Sequence, residues 1–72
     1  MVYVVMNGEQ VRSLRKERGF SREAFAKVSG VGVATLHNVE TGKTYARPST
    51  ARKIADALDV DARSLATVAP RA

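Results

Sequence analysis

Cysteine is absent from this sequence, and histidine occurs once, at His37. Without cysteine there is no disulfide staple, no thiolate nucleophile, no thiolate zinc site and no thiol redox chemistry. A single imidazole leaves no multi-histidine metal site. Long hydrophobic runs are also missing. The longest, residues 2–6, falls far short of the roughly 18–20 residues that span a bilayer. It is also too short for a signal-peptide core and has no basic leader. No nucleophile–base pair, phosphate-cradling loop or carboxylate cluster stands out. These absences predict no enzyme, no cofactor, no metal and no membrane partner, and a cytoplasmic location.

What is present fits one small domain. The chain has 72 residues, of which 44% are hydrophobic. That is enough for a packed core and too much for a fully disordered chain. Twelve Lys and Arg against seven Asp and Glu leave a net charge of +5. A basic surface of this kind attracts polyanions, nucleic acid foremost.

Glycines divide the chain into short periodic segments. A first helix is predicted over residues 8–18, with Val11 and Leu14 inward and Gly19 as its stop. Ser21 suits the N-cap of a second helix, with Glu23 near the positive dipole end. Ala24, Phe25 and Val28 read as its inner stripe, and Gly30 and Gly32 end it. A third helix is predicted over residues 32–41, with Leu36 and Val39 inward and Gly42 as its stop. Pro48 fits the first turn of a fourth, whose stripe is Ala51, Ile54, Ala55 and Leu58. Asp61 suits the N-cap of a fifth helix over residues 62–68, buried through Leu65. Residues 2–5 are β-branched and aromatic, and read as an edge strand or a frayed tail. The division that follows is a tail or short strand over residues 1–7, a helical domain over 8–68 and a tail over 69–72. The predicted core is Val11, Leu14, Phe20, Ala24, Phe25, Val28, Val31, Leu36, Val39, Ile54, Ala55, Leu58 and Leu65.

Two short helices joined by the tight turn Ser29-Gly30-Val31 make a helix-turn-helix arrangement. Gly30 suits the left-handed backbone of a sharp turn, and Val31 is the apolar plug of the corner. The quoted segments are Ser21-Arg22-Glu23-Ala24-Phe25-Ala26, then Gly30-Val31-Gly32, then Leu36-His37-Asn38-Val39-Glu40-Thr41-Gly42-Lys43, with Lys53-Ile54-Ala55-Asp56-Ala57-Leu58 behind them. Together they resemble the Cro/repressor (XRE-type) helix-turn-helix family over residues 11–65. The family's glutamine after the first serine is Arg22 here, and its serine or threonine cap of the recognition helix is Gly32. The resemblance implies an all-α, compact five-helix, lambda-repressor-like domain. It also implies a sequence-specific regulator of double-stranded DNA, with residues 32–41 in the major groove.

At about 100° per residue, Leu36, Val39 and Glu40 turn toward the body, and Ala34, Asn38 and Thr41 away from it. The residues expected at base edges are therefore Val33, Ala34, His37 and Asn38. Arg22, Gly32, Thr35, Thr41, Lys43, Thr44, Tyr45 and Arg47 are expected at the DNA backbone. Glu40 on the inner side needs a cation; Arg15 is the candidate, and the resemblance implies the same pair. A weak homodimer on a palindromic site is expected, through either the last helix or paired strands of residues 2–5. The alternative is an antitoxin-like interaction module that also binds its operator, with a protein partner held by the tails.

Overall fold

The computed structural model describes residues 4–42 and 45–68. The order of elements is strand β1 (Val4–Met6), helices α1 (Gly8–Glu17), α2 (Arg22–Ser29), α3 (Val33–Thr41) and α4 (Pro48–Leu58), a 3-10 turn (Ala62–Ser64) and strand β2 (Ala66–Val68). Helix α3 packs on α1 and α2, and α4 lies across α2 and the 3-10 turn.

Local chemistry explains most of these limits. Asn7 caps α1, its Oδ1 accepting from the Gln10 amide at 3.1 Å. Ser21 Oγ accepts from the Ala24 amide at 3.1 Å to cap α2. Helix α1 closes in a Schellman arrangement, with the Phe20 amide donating to Arg15 O at 3.1 Å and the Gly19 amide to Lys16 O at 3.0 Å. Helix α4 closes the same way without glycine, through the Val60 amide on Ala55 O and the Asp59 amide on Asp56 O. Asp59 therefore carries the one positive φ of a non-glycine among the described residues, 58°.

Gly8 sits at the foot of α1 against the end of α3. A Cβ built on it would lie 2.4 Å from Val39 O and 2.7 Å from Glu40 O. Both are backbone atoms and cannot swing away, so only glycine lets the two helices approach this closely.

The core joins Val11, Phe25, Val31, Leu36, Val39, Ala51, Ile54, Ala55, Leu58 and Leu65 with Val4, Met6 and Ala46. Leu14 and Phe20 are only partly buried against it. Phe20 and Phe25 meet as a tilted pair, with centroids 5.6 Å apart. The predicted inner stripe of the second helix is corrected: Phe25, Ala26 and Ser29 are the buried residues of α2. Ala24 is exposed, and Val28 is 59% exposed. Ser29 occupies an inner position because its hydroxyl bonds locally. It donates to Ala26 O at 3.4 Å and accepts from the Val31 amide at 3.3 Å, so burial leaves no orphaned polar atom.

The predicted fifth helix is also corrected. Among the described residues there are four α-helices, and residues 62–68 form a 3-10 turn followed by β2. Strand β2 runs antiparallel to β1, with Val4 opposite Val68 and Met6 opposite Ala66. On its other side, Val4 exchanges backbone hydrogen bonds with Ala46, at 2.8 and 3.0 Å. Asp61 caps the turn through Oδ1, which accepts from the Arg63 amide at 2.9 Å. Local sequence favours a helix here, but Val4 and Met6 need cover, and the ladder both buries them and pairs their backbones. Of the segment expected to pair between copies, residues 2–5, Val4 has both edges taken within the chain, so the exchange cannot run through that residue. Residues 1–3 and 69–72 of the expected tails lie outside the described residues.

Candidate nucleic-acid interface

The site grows from the turn between α2 and α3. Gly30 ends α2 at φ 76°, ψ 15°, in the left-handed region that glycine enters without a Cβ clash. Val31 fills the corner at 6% exposure. Gly32 is the N-cap of α3 and supplies no side-chain hydrogen bond. The first amides of α3 are therefore not capped by a side chain and can face an anion.

Helix α3 turns Leu36 and Val39 into the core. Val33 is 43% exposed. Ala34, Thr35 and Thr41 are exposed, and His37 and Asn38 half-buried. The face pointing away from the body thus carries small, apolar and amide-bearing side chains suited to base edges. The Thr41 hydroxyl donates back to His37 O at 2.9 Å, leaving its oxygen as an acceptor.

Glu40 and Arg15 fix the height of α3 on the body. Arg15 Nε donates to Glu40 Oε2 at 2.7 Å and Nη2 to Oε1 at 3.1 Å, while Nη1 donates to Phe20 O at 2.7 Å. This fork uses three faces of the guanidinium and both carboxylate oxygens. Among the described residues no buried side-chain polar atom lacks a partner.

Beside this pair lies an open cleft of about 380 Å³, lined from α1 by Arg12 and Lys16, from the start of α2 by Arg22, and from α3 by His37 and Thr41. Glu40 also lines it, but its charge is taken by Arg15. The cleft is therefore positive. The fold places Lys16, with Arg12, beside Arg22. It also brings Arg22 Nη1 into hydrogen-bond contact with His37 Nδ1. No sequence signal announces that contact, which depends on how α2 crosses α3. Tyr45 and Arg47 are exposed in the segment after α3, and Arg47 serves as the N-cap residue of α4. Lys43 and Thr44 lie outside the described residues. Among the described residues no cluster of three metal-ligating side chains occurs, and no helix is long and apolar enough to cross a membrane.

A helix-turn-helix family model matches residues 11–65, and the chain belongs to that XRE-type helix-turn-helix family. It is similar, at 34% identity over 82% of its length and 86% of the relative's, to the uncharacterized HTH-type transcriptional regulator YazB of Bacillus subtilis. It is 41% identical to the HTH-type transcriptional repressor RghR of the same organism over 74% of this chain, which spans 40% of that protein. Among solved structures, the restriction-modification controller protein C.AhdI from Aeromonas hydrophila superposes with a TM-score of 0.73 at 34% identity, over 78% of this chain and 85% of that one. The biofilm master regulator SinR, in its complex with DNA, superposes with a TM-score of 0.75 at 28% identity, over 79% and 92%. The chain is a DNA-binding transcriptional regulator.

Proposed function

We propose that the chain is a sequence-specific repressor of the Cro type that lays α3 in the major groove of double-stranded DNA. The observation that carries this reading is the exposed face of α3, beginning at an amide-only cap and flanked by a cleft holding Arg12, Lys16 and Arg22. Val33, Ala34, His37 and Asn38 meet base edges, Asn38 being suited to adenine and Val33 and Ala34 to thymine methyls. Arg22, the amides after Gly32, Thr35, Thr41, Lys43, Thr44, Tyr45 and Arg47 hold the phosphates on either side. Residues 8–68 act as the binding unit. In this reading the protein works in the cytoplasm without a catalytic step or cofactor, and two copies pair weakly on a palindromic site.

The test is selection of bound duplexes from a random pool, followed by titration of the enriched duplex at several salt concentrations. Enrichment of one short motif, with affinity falling steeply as salt rises, is the expected result. Binding that stays indifferent to sequence after selection overturns the proposal of sequence-specific recognition.

A further inference from the structure

We propose that Arg22 locks the tautomer of His37 and so makes His37 a reader of hydrogen-bond acceptors on base edges; this rests on the DNA-binding reading above. A guanidinium carries only donors. In the contact between Arg22 Nη1 and His37 Nδ1, the imidazole nitrogen must therefore accept. The neutral ring then keeps its proton on Nε2. That nitrogen has no partner among the described residues. Residue 37 thus offers one donor, on the ring nitrogen opposite the one that Arg22 holds.

The surroundings make Arg22 the residue that does this. Glu40, the carboxylate lining the same cleft, gives both oxygens to Arg15. The other charged groups lining the cleft, Arg12 and Lys16, carry only donors and cannot accept a proton from Nδ1, and the donor in contact with it is Arg22. Arg22 is left to satisfy the imidazole with one nitrogen, while Nε and Nη2 stay available to a phosphate. Backbone clamping and base reading are joined in one side chain.

A lone N–H donor discriminates among bases. In the major groove guanine presents N7 and O6, adenine N7 and thymine O4, whereas cytosine presents its amino donor. Guanine offers two adjacent acceptors with no donor beside them, so the structure assigns guanine as the best partner of His37 and cytosine as the rejected one. Arg22 is in this sense a positioning residue.

Because His37 is the sole histidine, imidazole nitrogen resonances of the uniformly 15N-labelled full chain report on it without assignment. For the neutral ring, the expected spectrum shows a single tautomer with Nδ1 bare and Nε2 protonated. Arg22→Met should give a mixture of tautomers, and Arg22→Lys, which keeps a donor, should retain the single form. On the selected duplex, replacing the guanine opposite His37 with 7-deazaguanine should weaken wild-type binding about fivefold to tenfold, as for one lost hydrogen bond. The same replacement should weaken Arg22→Met by less than twofold. A protonated Nδ1 in the wild type, or an unchanged 7-deazaguanine penalty in Arg22→Met, overturns the inference. A single bare-Nδ1 tautomer in a protein that selects no duplex instead overturns the DNA reading on which it stands.

Discussion

Arg15 and Glu40 face each other across the α1–α3 junction at 2.7 Å, their side chains only 7% and 5% exposed. A pair this dry is poor evidence of net stabilisation, because desolvation offsets the Coulomb attraction. Its structural consequence is positional: it pins one turn of the proposed recognition helix to the body.

Glu40→Gln should destabilise the fold by about 3–5 kcal/mol, because it strands a buried guanidinium charge. The double variant Arg15→Met with Glu40→Met should recover most of that loss while weakening DNA binding. Urea unfolding of Arg15→Met, of Glu40→Met and of the double variant measures the coupling directly. A double variant as unstable as the sum of the singles would show that the two residues act independently.

Gly8→Ala should lower stability by about 1–3 kcal/mol, the usual range for forcing extra volume into a packed site. The added methyl meets the carbonyls of Val39 and Glu40 at less than 3 Å. Thermal unfolding followed by circular dichroism reads the loss. An unchanged midpoint would mean that α1 can slide on α3 without penalty.

Asp59→Gly should stabilise the protein by about 0.5–1 kcal/mol. Asp59 holds φ 58° at the end of α4, where glycine has no Cβ to clash. The gain should appear as a higher urea midpoint with an unchanged slope.

Asn38→Ala should cost about 1–3 kcal/mol on the selected site and relax preference at one base pair. Arg47→Ala should instead weaken all sequences alike and lower the salt slope by about one. Competition binding with single-base variants separates the two roles. Uniform weakening by Asn38→Ala would reassign that side chain to the DNA backbone.

Asp61 carries the acid dependence that can be traced to one group. The Arg63 backbone N–H, then the Arg63 guanidinium, hold its carboxyl below the usual carboxylate range. A depressed folded value stabilises the native state above the unfolded-state pKa, and that stabilisation disappears as pH falls through the depressed value. The stability difference between wild type and Asp61→Asn should therefore be largest near neutral pH and be lost as pH falls through the depressed value of the Asp61 carboxyl. Urea midpoints of both proteins across that range test the sign.

The sequence by itself determined the helix-turn-helix and its neighbours, because their signals are local. Asn7 and Ser21 cap helices through their own side chains, Gly30 takes the left-handed turn, and the spacing of Leu36 and Val39 leaves one outward face on α3. The residues expected at base edges are legible on that face for the same reason. Tertiary structure decided the rest. Whether residues 66–68 become helix or strand depends on Val4 and Met6, which are far away in sequence and need both cover and backbone partners. Which side of α2 is buried depends on Ser29 satisfying its own hydroxyl, and counting apolar residues misses that by one position. The contact of Arg22 with His37, and the gathering of Arg12 and Lys16 beside it, follow from how three helices cross, a geometry set by packing around Phe25 and Leu36 and by the absence of a side chain at Gly8.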